Sequence, residues 1–182
     1  TVVADKLLDI SKVITSMIAQ SEHGINSQSI LITKNEKLIK NINKKINVYL
    51  KKIPRKNIVI QSLKKNGLLI LAKNNQQIVN IINMISPEHL ELLSKDYKKL
   101  LINICNVGSI GLGIYSPVAA SDYNVGTNHT LGTLGSARFA SGLNLNDFYK
   151  KISRFTLSKK GIEVIGKQAI TLAEYENLHV HA

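Results

Sequence analysis

The chain has 182 residues, a formal net charge of +12 and a single cysteine. One cysteine excludes an internal disulfide, the lack of a long apolar run excludes a membrane-spanning helix, and the start of the chain offers no signal peptide. We therefore expect a cytoplasmic protein of one domain with a small appendage, in which Cys105 is buried. Because Thr1 stands in place of methionine and an apolar pair follows at once, we expect a fragment of something longer.

The N-terminal half alternates short apolar runs with amphipathic stretches. The apolar runs at residues 2–4, 29–33 and 67–72 predict buried strands, and helical periodicity predicts helices between them. Strands that alternate with helices favour an α/β fold with a mostly parallel sheet flanked by helices. The predicted helices cover residues 6–22, 35–52, 55–65 and 75–85.

Residues 85–92, with the sequence Ile-Ser-Pro-Glu-His-Leu-Glu-Leu, have the signals of a helix start. Ser86 is a candidate cap, Pro87 suits the first helical position, and a carboxylate in the first turn is favoured by the helix dipole. We therefore predict a helix over residues 87–94. The same octet places Glu88 beside His89, and a carboxylate next to an imidazole is a candidate acid–base pair.

The composition of the chain changes after Pro117. Residues 122–136 are rich in Gly, Asn and Thr, and a loop of that length inside a protein usually has a function. It carries Asp122 and His129. The remaining predictions are strands or strand edges at residues 101–104 and 109–112, and helices at residues 145–155 and 159–175.

The five histidines each have an acid, an amide or another histidine close in sequence. Gln20 and His23 are three residues apart and share one face of a helix end. Zinc sites combine histidine with Asp or Glu, but no local spacing here is a metal signature. A metal or acid–base site assembled from separate segments is therefore a hypothesis. The five are His23, His89, His129, His179 and His181.

Residues 34–73 hold half of all Lys and Arg and one acid, Glu36. We interpret this stretch as the solvated outer helices of an α/β layer. The alternative is a basic binding module for an acidic partner or nucleic acid, which predicts steeply salt-dependent binding through its lysines. Scarce aromatic residues and the lack of a nucleic-acid motif disfavour nucleic acid.

Six separate segments resemble histidinol dehydrogenase, in the family's order and at its approximate spacing. They are Ala19-Gln20-Ser21-Glu22-His23-Gly24 with Ser27-Gln28, Ile85-Ser86-Pro87-Glu88-His89-Leu90-Glu91, Asn106-Val107-Gly108-Ser109 leading to Tyr115-Ser116-Pro117, Ser121-Asp122-Tyr123 with Gly126-Thr127-Asn128-His129, Gly135-Ser136-Ala137-Arg138-Phe139-Ala140-Ser141-Gly142-Leu143, and Ala173-Glu174-Tyr175-Glu176-Asn177-Leu178-His179-Val180-His181.

The resemblance implies an enzyme of histidine biosynthesis that oxidises L-histidinol to L-histidine with two NAD and one zinc per subunit. Glu88 and His89 would be the catalytic acid–base pair. The implied zinc ligands are Gln20, His23, Asp122 and His181. The implied substrate contacts are Gln20, His23, His89, Asp122, His129, Glu176 and His181.

The resemblance also implies an architecture. Residues 1–143 would be part of an incomplete Rossmann-like domain, and residues 144–182 a helical tail exchanged within a homodimer. The NAD contacts would lie in an N-terminal half that precedes Thr1, because Gly111-Leu112-Gly113 lacks the third glycine of a dinucleotide fingerprint. We therefore predict that these 182 residues alone have no dehydrogenase activity.

Overall fold

A parallel five-stranded sheet forms the centre of the first of two compact units, Thr1–Asn144 and Leu145–Ala182. The computed structural model describes residues 1–5, 10–95 and 97–182. The strand order is β3-β2-β1-β4-β5, and every neighbouring pair is parallel. The predicted α/β class is therefore confirmed. The strands are β1 Val2–Ala4, β2 Ser29–Thr33, β3 Gly67–Leu71, β4 His89–Leu93 and β5 Ser109–Leu112.

Helices cover both faces of the sheet. On one face α1, α2 and α3 bury residues such as Ile14, Ile42 and Val59, and on the other α4 and α5 bury Ile78 and Leu100. Parallel strands need such crossover helices, which is why β1, β2 and β4 carry apolar runs. The strand predicted to be buried over residues 67–72 is the edge strand β3, in which Leu68 and Leu71 are each 48% exposed. The helices are α1 Ile10–Ser21, α2 Glu36–Leu50, α3 Lys56–Asn66, α4 Asn75–Ile85, α5 Tyr97–Leu101 and α6 Val118–Tyr123.

Most helices of the first unit fall where periodicity predicts them. The side chain of Asn35 accepts hydrogen bonds from two amides in the first turn of α2, and that of Asn74 accepts one from the Gln77 amide in the first turn of α4. The first helix is described from Ile10 onward, so the part predicted over residues 6–9 lies outside the described residues. Within the parts of the chain that are described, no helix has both the length and the apolarity needed to cross a membrane.

The second unit has one long helix, α7 Lys159–Tyr175, with the predicted bounds. The Ser158 hydroxyl accepts a hydrogen bond from the Gly161 amide at 3.0 Å and so caps its start. The helix predicted over residues 145–155 is wrong beyond a short 3₁₀ turn at Leu145–Phe148. Its apolar side chains Ile152 and Phe155 are exposed, and a helix without packing on its apolar face is marginal.

The helix predicted over residues 87–94 is also wrong, because His89–Leu93 form strand β4. Ser86 adopts a left-handed conformation with φ of 51° and ends α4 instead of starting a helix. β4 is inserted between β1 and β5, and its fully buried Leu90 and Leu92 pack in the same core cluster as α4 and α5. The two-residue spacing of these leucines was the strand signal.

Two smaller predictions fail nearby. Residues 101–104 are the end of α5 and the turn after it instead of a strand, with Ile102 81% exposed. Cys105 is exposed instead of buried, because it lies in a loop whose backbone is held by Asn83. The amide of Cys105 donates to Asn83 Oδ1 at 3.0 Å.

Candidate active site

A cavity of about 480 Å³ opens at the amino-terminal edge of the sheet. It is bounded by the end of α1, by the segment that enters β2, and by the segment that enters β4. Open α/β sheets usually bind ligands at the opposite, carboxyl edge. The polar side chains lining the cavity include Gln20, His23, Glu88, His89 and Arg138.

The turn at residues 85–88 delivers Glu88 and His89 to this edge. The Ser86 amide donates to the Ile82 carbonyl at 2.8 Å, and its hydroxyl donates to the Asn83 carbonyl at 2.9 Å. Both bonds satisfy carbonyls at the end of α4, and the left-handed backbone at Ser86 turns the chain toward the sheet. The pair therefore sits at a junction fixed by a helix end on one side and a strand on the other.

The backbone of Glu88 is held by the start of β5. Its carbonyl accepts the amide of Ser109 at 2.9 Å, and the Pro87 carbonyl accepts the amide of Gly108 at 3.1 Å. A Cβ atom on Gly108 would lie 2.6 Å from the Glu88 carbonyl oxygen, so only glycine allows this approach. Beside it, the backbone nitrogen of Thr1 donates to the His89 carbonyl at 2.9 Å.

His89 stands between two carboxylates. Its Nε2 atom is 3.9 Å from Glu88 Oε1 and 3.9 Å from Asp122 Oδ1, and only 10% of its side chain is exposed. Burial lowers the pKa of the imidazole from its usual 6.5, while Asp122 and Glu88 act in the opposite direction. A neutral imidazole at neutral pH is able to accept a proton. The separations exceed hydrogen-bond length, so neither carboxylate holds the imidazole nitrogen directly.

Asp122 lies in the last turn of α6, the helix that follows β5 in the chain. Its side chain is 17% exposed, and the Ser121 hydroxyl lies 3.4 Å from its Oδ1 atom, to which it donates. The loop prediction for residues 122–136 is therefore right only after Tyr123. The fold places Asp122 beside His89, although the two residues are far apart in the sequence.

Gln20 and His23 lie together at the end of α1, as their spacing predicts. Gln20 is half-buried and His23 is exposed, and both line the cavity. His23 is close enough to His89 to lower the pKa of that imidazole further. Among the described residues, no group of three His, Cys, Asp or Glu side chains is close enough to hold a metal ion.

The other predicted site residues lie elsewhere. His129 is exposed in the loop after α6 and is not among the residues lining the cavity. Glu176, His179 and His181 belong to the second unit, in the exposed segment that follows α7. Of the predicted residues in the first unit, the structure therefore gathers Gln20, His23, Glu88, His89 and Asp122 at or beside one cavity.

The basic stretch lies away from this chemistry. All twelve Lys and Arg side chains of residues 34–73 are exposed, and none lines the cavity. Lys40 pairs with Glu36 at 2.7 Å on the outer surface of α2. The prediction of solvated outer helices is confirmed for α2 and α3.

The cavity wall formed by residues 133–138 had no predicted role. The guanidinium of Arg138 donates to the Gly135 carbonyl at 3.1 Å and to the Met84 carbonyl, which ties this wall to α4. A cationic side chain in a Gly/Ser-rich stretch was the available signal. Its role became visible only when the fold placed it beside residues 85–89.

Comparison with known proteins gives one consistent family. The family model for histidinol dehydrogenase matches residues 1–182. The histidinol dehydrogenase of Pelagibacter ubique strain HTCC1062 is 49% identical over 182 residues, covering 100% of this chain and 42% of that protein. That of Methanosarcina barkeri strain Fusaro is 40% identical over 181 residues, covering 100% of this chain and 42% of that protein.

A solved structure agrees. The crystal structure of histidinol dehydrogenase from Elizabethkingia anophelis matches with a TM-score of 0.88 at 36% identity, covering 99% of this chain and 41% of that chain. The chain thus spans about 42% of the length of the curated relatives it matches. The resemblance drawn from six sequence segments is confirmed, and the chain belongs to the histidinol dehydrogenase family.

Proposed function

We propose that this chain supplies the acid–base and substrate-binding part of a histidinol dehydrogenase, which oxidises L-histidinol to L-histidine. The observation that carries the proposal is His89, an imidazole that is only 10% exposed and lies between Glu88 and Asp122 at the wall of the cavity. A general base needs a position within reach of the reacting proton and a pKa near or below the working pH. The setting of His89 supports both requirements.

The cavity suits a small polar substrate. Its volume of about 480 Å³ falls within the usual range for a small-molecule site, and its lining combines an amide, imidazoles and a carboxylate. L-Histidinol carries an imidazole, an amino group and a primary alcohol, each of which needs a hydrogen-bond partner when it leaves water. Gln20, His23 and Glu88 offer acceptors for those groups.

In the first oxidation, His89 takes the proton of the alcohol as the carbon loses hydride. In the second, Glu88 takes a proton from the water that adds to the aldehyde-level carbon, so that a second hydride can leave and a carboxylate results. The two side chains face one another at 3.9 Å, and a substrate oxygen or a water placed beside one is therefore near the other. NAD, when bound, accepts the hydride in each oxidation.

Zinc fits the donor chemistry of the proposed site. Imidazole nitrogen and carboxylate oxygen are its usual ligands, and His23 and Asp122 provide one of each. We propose that these two residues hold the ion together with Gln20 and His181. Zinc, when bound, orients the imidazole and amino groups of the substrate.

We place the NAD contacts in the part of the family's length that this chain does not span. No strand of the described sheet is followed by a glycine-rich turn of the kind that binds phosphate. The residue directly after β1 is Asp5, whose negative charge does not suit a phosphate. The polar lining of the cavity combines acid, amide and imidazole side chains with Arg138, whose guanidinium donates to the Gly135 and Met84 carbonyls. This mixture suits a small polar substrate better than a dinucleotide. We also place the enzyme in the cytoplasm, where histidine biosynthesis has its substrates.

We further propose a homodimer in which the C-terminal tail completes the partner's site. Helix α7 exposes apolar side chains along its length, among them Ile162, Ile165 and Leu172. Exposed apolar surface of this kind marks contact surfaces between proteins. A subunit exchange would give a packing role to α7 and a chemical role to Glu176 and His181.

The test uses a chimera in which this chain replaces the matching 42% of the Pelagibacter ubique relative. We expect NAD-dependent oxidation of L-histidinol by the chimera, loss of activity with a chelator, and recovery with Zn²⁺. The 182-residue chain alone should bind zinc in elemental analysis after gel filtration and should not reduce NAD. A matched His23→Ala variant should lose the zinc. A folded chimera without histidinol oxidation would contradict the proposal.

A further inference from the structure

We propose that Glu91 is a positioning residue: it holds the first amide of α6 and thereby keeps Asp122 against His89. The assignment of Asp122 and His89 to the active site rests on the proposed function. Glu91 is the third residue of β4, two positions after His89, so the two side chains leave the same face of the strand. Glu91 is only 3% exposed.

The contact that carries the proposal joins β4 to the start of α6. Glu91 Oε1 accepts the amide of Val118 at 2.9 Å. The residue at the cap position of α6 is Pro117, whose side chain has no acceptor and makes no capping hydrogen bond. A carboxylate from a distant strand therefore replaces the local cap, and its negative charge suits a helix start.

The other end of the same helix meets the same strand. Asp122 is four residues after Val118, and its Oδ1 atom is 3.9 Å from His89 Nε2. Four helical residues span about 6 Å, and two strand residues span about 6.6 Å. The two attachment points on α6 therefore match the two on β4, so that fixing Val118 also sets the place of Asp122.

Glu91 fills this role at a cost to the fold. Its Oε2 atom is buried and has no hydrogen-bond partner among the residues that the structure describes. A buried carboxylate oxygen without a donor is unfavourable, and an apolar side chain of similar size often serves stability as well or better. A buried carboxylate that leaves one oxygen unpaired while the other orders the acid beside His89 has the profile of a functional residue.

The experiment compares variants of the 182-residue chain by NMR. The measured quantity is the nuclear Overhauser contact between the His89 ring and the Asp122 methylene protons, with urea unfolding as the second readout. Glu91→Gln keeps an acceptor, whereas Glu91→Met has similar length and none. Val118→Pro removes the donor at a helix position that tolerates proline. Glu36→Gln removes one negative charge on the exposed surface and is the matched control.

We expect the His89–Asp122 contact to persist in Glu91→Gln and in the control, and to be lost in Glu91→Met and Val118→Pro. The unfolding midpoint of Glu91→Met should stay close to that of the wild type, because loss of the helix cap and relief of the unpaired buried oxygen act in opposite directions, whereas a merely structural role would lower the midpoint. The zinc dissociation constant should rise about 10–100-fold in Glu91→Met and stay within about threefold in Glu91→Gln.

Persistence of the contact in either Glu91→Met or Val118→Pro would overturn the proposal, and either variant is sufficient for the test if the other fails to fold. Loss of the contact in Glu91→Gln would also overturn it, because that variant retains the acceptor. A wild-type chain that binds no zinc would count against the proposed function alone. The His89–Asp122 contact would still decide the role of Glu91.

Discussion

Replacing Gly108 with alanine tests how tightly the backbone positions the proposed catalytic pair, Glu88 and His89. The new Cβ would lie 2.6 Å from the Glu88 carbonyl oxygen, whereas ordinary contact begins at 3.4 Å, so the two segments must separate by about 0.8 Å. The backbones of Glu88 and Gly108 lie immediately before β4 and β5 and are joined by hydrogen bonds from Gly108 to Pro87 and from Ser109 to Glu88, so neither segment can rotate away. Overpacking of this kind costs about 1–3 kcal/mol. A displacement near 1 Å at catalytic groups lowers a rate about 10²-fold.

We therefore expect Gly108→Ala to unfold at lower urea concentration in the 182-residue chain, and to lower kcat about 10–100-fold in the chimera. KM should change less, because the cavity wall formed by α1 is untouched. Gly166→Ala is the matched control, since its Cβ would meet Ile162 no closer than 3.9 Å inside α7. That change should stabilise by about 0.5–1 kcal/mol. Wild-type unfolding and kcat in Gly108→Ala would refute the reasoning.

Three further predictions concern the site and the core. In the chimera, His89→Gln should lower kcat about 10²–10⁴-fold because the proposed general base is lost, and Glu36→Gln should leave kcat unchanged; equal rates for both variants in steady-state kinetics would contradict the proposed role of His89. In the metal-free chain, NMR titration should place the pKa of His89 below 6.5, and Asp122→Asn should lower that pKa further, because Asp122 raises it; a rise in the variant would contradict this assignment. Burial makes the pKa of His89 lower in the folded chain than in the unfolded chain. The contribution of His89 to stability is therefore complete above pH 6.5, and it is lost as the pH falls through the pKa of the folded chain. Ile42→Ala should cost about 2–5 kcal/mol in urea unfolding, because Ile42 is fully buried between α2 and the sheet; Ile102→Ala, at a residue 81% exposed, should change stability by at most about 0.5 kcal/mol.

The helices α2, α4 and α7 were predictable because their signals are local. Each has an apolar periodicity or a capping side chain within its own sequence, such as Asn35, Asn74 or Ser158. Strand β4 was not, because Ser-Pro-Glu carries the same local signals as a helix start. Its state is decided by pairing with β5 and with β1, where Val2 is the partner of Glu91, 89 residues later in the chain. Non-local pairing overrides a cap signal.

The same distinction between local and non-local signals applies to the residues of the site. Glu88 and His89 are neighbours, so their partnership was visible in the sequence. The approach of Asp122 to His89 depends on the passage of the chain through β5 and on the Glu91 contact with α6, neither of which leaves a mark at Asp122 itself. Arg138 reaches the cavity wall through a carbonyl of α4 that no spacing rule connects to it.

The position of the cavity explains which ligands this chain suits. α1 and α4 both end at the amino edge of the sheet, and Gln20 and Ile85 in their last turns line the cavity. The carboxyl end of a helix carries a partial negative charge, which favours cations and proton-bearing groups. An amine, an imidazolium or a divalent metal ion is therefore stabilised there, whereas a pyrophosphate is favoured by helix amino ends. The proposed substrate and a dinucleotide thus favour opposite helix polarities, and this edge provides the one suited to the proposed substrate.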